Sequence, residues 1–263
     1  MGGDALHRRN PRGRLLALAA AAALSLTVLP ASADEPTSPA EAPKQVLVLG
    51  GTGQLGAEIV RRLTEAGHRV TVFVRTGSSR TRLAGLPVDY AVGNLFDVDS
   101  IGAVLRAKRY DVVVSALRVQ DGDVHFYEKA LTPLSRQLAA AGVGQVIHHG
   151  AVGAGSNAAK FAHLGWERVP GLLERLRDQG VGEDLLRASG VPFTIIRNAR
   201  LYPDGTPSTG RAELTEDDTV ITPMTRADLA IFTLRCLANP DCYGKVYHVR
   251  DESLGWPPPT PPT

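Results

Sequence analysis

One seven-residue stretch, Gly50-Gly51-Thr52-Gly53-Gln54-Leu55-Gly56, constrains this chain more than any other. It follows an apolar run, Gln45–Leu49. It opens a segment, Gln54–Ala66, whose Leu55, Ile59, Val60 and Leu63 recur at helical spacing. Gly67 then supplies a C-terminal stop. A strand that turns through glycines straight into a helix points the free amides and positive dipole end of that helix at an anion. Each glycine has its own expected task. Gly50 makes the tight turn out of the strand, Gly53 lets a pyrophosphate approach the backbone, and Gly56 lets the helix lie close to the strand. A glycine-rich turn that binds nothing has no need of this strand–turn–helix context.

The alternation continues downstream. Arg69–Val74, Val88–Val92, Asp111–Ser115, Gln145–His149 and Phe193–Arg197 read as strands two to six. Asp99 or Ser100 is expected to cap a helix running to Lys108. Val124 to Ala141 predicts a long helix disturbed near Pro133, and about Glu174–Ala188 a further one. Strands alternating with helices point to a parallel sheet covered on both faces. Right-handed crossovers make that an α/β doubly wound sheet of the Rossmann type, with strand order 3-2-1-4-5-6. The expected domain spans 44–250, a single unit with a small C-terminal substrate-side portion. Within that portion, Tyr202 to Asp217 reads as a polar loop over the site, Arg226–Ala238 as a last helix and Lys245–Val249 as a last strand.

Such a loop cradles a dinucleotide, and the second strand suggests which one. A carboxylate at its end would hold a ribose 2′-hydroxyl. Here it ends Val72-Phe73-Val74-Arg75-Thr76, with Ser78, Ser79 and Arg80 close behind. A guanidinium at that position suits a phosphate, so NADP is favoured over NAD.

Three stretches carry a family resemblance. Val46 to Gly56 resembles the opening of the atypical short-chain dehydrogenases, in particular their NmrA-like and isoflavone-reductase-like branch. Glu183-Asp184-Leu185-Leu186-Arg187-Ala188-Ser189-Gly190-Val191-Pro192-Phe193-Thr194-Ile195-Ile196-Arg197 is similar to that branch's later helix and sixth strand, and Thr225-Arg226-Ala227-Asp228-Leu229-Ala230 to its late helix start. The resemblance implies that Gly50, Thr52, Gly53, Gln54, Leu55 and Gly56 cradle the phosphates and that Arg75 meets the adenosine phosphate. It implies that Asn94 and Leu95 lie against the adenine, and that Ser115, Ala116 and Leu117 line the ribose and nicotinamide side.

Catalysis is where the chain departs from its relatives. Their Tyr-x-x-x-Lys pair, in which the Lys lowers the Tyr pKa for proton transfer, occurs nowhere in the sequence. The position that carries the Lys in many relatives is Gln179, and four residues earlier stands Arg175. The usual Ser after strand five is replaced in His148-His149-Gly150-Ala151. Either histidine could donate a proton near the nicotinamide, or be a strand-end residue satisfied by a local partner. The sequence therefore assigns no catalytic residue. Two readings stand: an NAD(P)H-dependent oxidoreductase acting on a small carbonyl, enone, quinone or imine, and a non-catalytic NAD(P)-binding sensor or scaffold.

The chain ends have their own signals. Residues 7–14 are basic, Leu15 to Leu29 is an uncharged apolar run, and Ala31-Ser32-Ala33 suits a signal peptidase. The run falls short of the roughly 20 apolar residues of a membrane span, which favours cleavage after Ala33 over an anchor. Arg8-Arg9 reads equally as a twin-arginine signal or as ordinary n-region charge. Residues 34–43 are expected to be a disordered spacer and 251–263 a Pro-rich disordered tail, giving a secreted or periplasmic protein. The 29 basic and 27 acidic residues nearly cancel, which argues against nucleic acid or an anionic membrane as partner, and the substrate is expected to be a small molecule. In an oxidising compartment the two cysteines, Cys236 and Cys242, are expected to pair across the turn made by Pro240.

Overall fold

The computed structural model describes residues 42–119 and 123–256. The expected export signal, most of the spacer and residues 257–263 of the expected tail lie outside the described residues. In chain order the elements are β1 (Gln45–Leu49), α1 (Gln54–Glu65), β2 (Arg69–Val74), β3 (Val88–Val92), α2 (Val98–Ala107), β4 (Val112–Ser115) and α3 (Phe126–Leu138). There follow β5 (Gln145–Ala151), α4 (Leu172–Arg187), β6 (Phe193–Asn198), β7 (Glu213–Thr215), α5 (Arg226–Cys236) and β8 (Lys245–Arg250). They form one sheet of order β3-β2-β1-β4-β5-β6-β8-β7. Every neighbouring pair is parallel except β7 on β8. The expected order of the first six strands is therefore observed, and the sheet continues past β6.

Strand periodicity explains why both faces are covered. On β1, Val46 and Val48 face one side, where they pack with Ile59 and Leu63 of α1 and Leu229 and Phe232 of α5. Leu47 and Leu49 face the other, against Ile101 of α2, Leu131 and Leu134 of α3 and Leu186 of α4. All four β1 side chains are fully buried, each worth about 1.5–3 kcal/mol of transfer free energy.

Several expected boundaries move for local reasons. Asp97, not Asp99 or Ser100, caps α2, its Oδ1 accepting from the amides of both of those residues at 2.9 and 3.3 Å. Pro133 is buried inside α3 without dividing it. Strand β5 runs on to Ala151 because β6 pairs with it as far as Asn198. The region expected to be a loop contains β7, whose three residues are too short to show a strand period and are held by β8. The packed domain extends past Arg250: Asp251 is buried and accepts from Thr209 Oγ1 at 2.6 Å and from Ser253.

Cys236 and Cys242 form a disulfide with their Cα atoms 5.5 Å apart. A polar knot braces it. Gln145 Nε2 donates to the Cys236 carbonyl, Gln145 Oε1 accepts from the Ala238 amide, and Thr194 Oγ1 donates to the Cys242 carbonyl. Among the described residues no helix is long and apolar enough to cross a membrane.

Candidate functional site

Strand β1 lies between β2 and β4, so the chain leaves β1 and β4 on opposite sides and opens a crevice at their C-terminal ends. A cleft of about 490 Å³ occupies this switch point, lined by Gly50, Thr52 and Gly53 from the glycine turn and by Ala116 and Leu117 after β4.

The glycines divide into two kinds. Gly50 has φ +75°, and a Cβ on it would sit 2.4 Å from the Ala116 carbonyl oxygen. A Cβ on Gly56 would meet the Gly50 carbonyl oxygen at 2.1 Å, and one on Gly51 would meet Val72 at 2.7 Å. The protein's own packing requires these three. Gly53 differs: it is exposed, its φ is −75°, and a Cβ there would meet only the Gly50 carbonyl oxygen, at 3.2 Å. Its missing side chain leaves open space over the first turn of α1, where free amides favour an anion. A pyrophosphate fits this cradle.

The remaining predicted residues separate clearly. Arg75 is exposed, lines the cleft together with Ser78 and has no acidic partner among the described residues. Arg80 is engaged elsewhere, its guanidinium 4.1 Å from the centre of the Tyr90 ring. Leu95 lines the cleft. Asn94 does not: its Oδ1 accepts from the Phe96 amide and its own amide donates to Ser100 Oγ, which makes it a turn residue. Gln54 Oε1 accepts from Arg226 Nη2 at 2.8 Å, tying α1 to the start of α5, and Leu55 packs on the core. Ser115 is fully buried and hydrogen-bonded to His148 Nδ1 at 3.0 Å, beneath the cleft rather than in its wall. Phe96 and Phe126 also line the cleft, stacked edge to face 5.9 Å apart. Sequence reasoning missed both; their position beside Leu95 and at the head of α3 was the available signal.

A second cavity, of about 1060 Å³, adjoins the first, and Arg118 lines both. Arg175 and Gln179, which the family resemblance sets at the acid–base positions, face this chamber. The fold therefore presents both substituted positions to the expected reaction space. Gln179 Oε1 is buried there without a hydrogen-bond partner. Tyr127, missed in the sequence, lines the chamber too. Its hydroxyl donates to the Leu117 carbonyl at 3.1 Å, and burial, followed by the charge of Asp178, pushes its pKa up to about 12. It positions the Leu117 backbone and keeps its proton.

Neither histidine lines the cleft or the chamber. His148 bonds Ser115, and His149 Nε2 lies 2.8 Å from Thr233 Oγ1, so each is satisfied by a buried hydroxyl on one nitrogen. Burial first, then Arg187 for His148 and His148 for His149, lowers their pKa values to about 4 and about 3. Both are neutral at physiological pH.

The later motifs explain themselves as support. Glu183 of α4 is fully buried and meets the Arg197 guanidinium through both carboxylate oxygens, at 3.0 and 2.7 Å, and Arg187 at 2.9 Å. This holds α4, and with it Arg175 and Gln179, against β6. Asp178 of the same helix accepts on its two oxygens from the Tyr127 and Glu128 amides, capping α3 from the helix packed against it. Gly180 and Gly182 let α4 approach closely, since Cβ atoms there would meet Gly155 Cα at 2.3 Å and Leu131 Cδ1 at 2.8 Å. Thr225 caps α5 with Asp228, whose carboxylate also holds Ser208 and Thr209.

A glycine cradle at the switch point of a parallel sheet, beside a larger chamber, defines a dinucleotide-binding protein of the Rossmann class. A sequence-family model for NAD(P)H-binding proteins matches residues 50–240, and the chain belongs to that family. It is 34% identical over 125 residues to sterol demethylase protein B of Methylococcus capsulatus, covering 44% of this chain and 38% of that protein. It is 33% identical over 81 residues to phenylcoumaran benzylic ether reductase POP1 of Populus trichocarpa, covering 28% of this chain and 26% of that protein, in keeping with the isoflavone-reductase-like resemblance. The match thus spans well under half the length of these curated relatives. Among solved structures it resembles ChuY, an anaerobillin reductase from Escherichia coli O157:H7. The TM-score is 0.68 and the identity 20%, over 81% of this chain and all of that one. That likeness is one of fold.

Proposed function

We propose that the protein is an NADPH-preferring oxidoreductase whose acceptor needs no dedicated acid from the protein, such as a quinone, enone, activated carbonyl or imine. The observation that carries this reading is the chamber joined to the dinucleotide cleft at Arg118, with Gln179 and Arg175 at the acid–base positions. Its tyrosine is held in a hydrogen bond to a backbone carbonyl and stays protonated. When bound, NADPH would supply a hydride. The protein's part is to hold the phosphates on the α1 amides beside Gly53, to meet the adenosine phosphate with Arg75 and to shape the space beyond Arg118. The family, the curated reductase relative and the reductase among the neighbours support it.

The experiment is a turnover assay of purified protein with NADPH against quinones, enones and imines, paired with calorimetry of NADPH and NADH. Turnover with at least one acceptor and tighter NADPH binding are expected. Tight NADPH binding without turnover of any acceptor would instead establish the sensor reading, which the absent Tyr-x-x-x-Lys pair favours. Equal affinities for the two cofactors would remove the role given to Arg75.

We also propose that the mature protein lies outside the cytoplasm and begins near Asp34. The N-terminal sequence and the Cys236–Cys242 disulfide support export, since such pairs persist in oxidising compartments. N-terminal sequencing of the protein from its own host tests this; a retained Met1 counts against it.

A further inference from the structure

The chamber has a chemical character that the cofactor does not require. Arg118 and Arg175 line it without an acidic partner among the described residues. Among the described residues, none that lines it is Asp or Glu. Two guanidiniums, Arg118 and Arg175, facing one cavity with no carboxylate among its described lining residues leave a positive potential that a neutral ligand would not use. Arg175 lies near the start of α4, where the helix dipole also favours an anion over a cation, so its charge is not offset by the helix end.

The walls are flat. The protein's two tryptophans, Trp166 and Trp256, both line this chamber. Trp166 is stacked on Phe161, ring centres 5.2 Å apart, and Phe161 in turn on His248, so its plane is backed by packed rings. Trp256 is 56% exposed, which is a large apolar surface for a side chain with no core to join. Flat walls of this kind take planar, conjugated molecules by stacking. Between arginines and tryptophans sits Gln179, with its buried Oε1 unpartnered. A buried polar atom left without a bond is a place where a ligand's polar atom fits, and the amide can turn to offer either end.

We infer that the chamber is built for a planar conjugated acceptor bearing an anionic group, a carboxylate or its equivalent, with Arg175 and Arg118 as the anion subsite, the two tryptophans as stacking walls and Gln179 as a polar anchor. This specifies the substrate class and rests on the oxidoreductase reading for its consequence, but the recognition itself is a binding property. It also accounts for the size of the chamber, which at about 1060 Å³ exceeds what a small aldehyde or ketone fills.

The two tryptophans make the test direct. Anthraquinone carboxylate and uncharged hydroxymethyl-anthraquinone, the same ring with and without the charge, are titrated into the full-length protein while tryptophan fluorescence is followed. The titrations are done with and without NADP. The charged ring is expected to quench both tryptophans and to bind at least about tenfold more tightly than the uncharged one. That advantage is expected to shrink with added salt and to fall about tenfold in Arg175→Gln. Arg118→Gln gives a second variant for the same readout. Equal binding of the two rings, or an advantage that survives both substitutions, overturns the inference. Turnover is measured separately. Charge-selective, Arg175-dependent binding with no reduction of any ring would defeat the oxidoreductase reading and leave this inference standing. Reduction of both rings with no preference for charge would do the reverse.

Discussion

Gly50, Thr52 and Gly53 enter the dinucleotide cleft from a single turn between β1 and α1, whereas the chamber beside it gathers Arg118, Tyr127, Trp166, Gln179, Arg200 and Trp256 from well over a hundred residues of chain. The phosphate cradle in that cleft is a local device. Its shape follows from backbone conformation at a few adjacent residues, and its attraction for phosphate follows from one helix end. The chamber is a tertiary product. Its walls stay in place only because distant elements are fastened together, chiefly by Glu183 bridging α4 to Arg197 of β6 and by Asp178 capping α3 from α4. The difference implies that the two regions can be damaged independently.

The largest expected effect strikes the chamber through its fastening. Glu183→Ala leaves Arg197 buried without its partner and is expected to lower the unfolding free energy by about 3–5 kcal/mol, read by denaturant unfolding. At a temperature where the variant is still folded, quenching by the chamber probe should weaken more than NADPH binding. A loss under about 1 kcal/mol would show that α4 is held mainly by its apolar contacts. Gly53→Val should produce the opposite pattern. The fold survives, because little protein lies where the new side chain goes, while NADPH affinity drops by about 100-fold or more through occlusion of the pyrophosphate. Calorimetry on a variant with an unchanged melting temperature checks it, and unchanged affinity would move the phosphate site elsewhere.

A third measurement asks whether the layer beneath both regions is neutral, as its geometry implies. His148 and His149 have folded pKa values of about 4 and about 3, below the unfolded value near 6.5. The unfolded chain therefore binds more protons as pH falls through 6.5. The stability from these buried neutral rings is full above that pH and is lost progressively down to the folded values. Each ring contributes a slope of up to about 1.4 kcal/mol per pH unit in that window. The double variant His148→Asn, His149→Asn should show a flatter dependence between pH 6.5 and 4; an identical slope would assign the acid sensitivity to carboxylates. The smallest effect concerns a part remote from both cavities. Replacing Cys236 and Cys242 by Ser should cost about 2 kcal/mol, because the closed loop is short, and should leave NADPH affinity unchanged. A change in affinity would show that the knot around Gln145 reaches the cleft.

The parts of the site legible in the sequence were those that depend on neighbours along the chain. The Gly50–Gly56 turn showed its strand, its helix and its anion-binding end, and Arg75 followed from where β2 stops. Asn94 and Ser115 show the limit. Each lies one position from a residue that does line the cleft, Leu95 and Ala116, yet one bonds its own turn and the other is buried against His148. Alternation along a strand or turn places neighbouring side chains on opposite sides, and only the packed sheet decides which side is the cleft.

Periodicity, turn chemistry and residue identity are all local, and they sufficed for the class of fold, the order of the first six strands, the glycine turn at the switch point and the lack of a Tyr-x-x-x-Lys pair. Only the tertiary structure decided that Glu183 and Asp178 are fasteners, that the two histidines are sealed and neutral, and that arginines and tryptophans far apart in the chain converge on one chamber. Burial, ion pairing and cavity walls are properties of elements brought together across the sheet, and no window of sequence contains them.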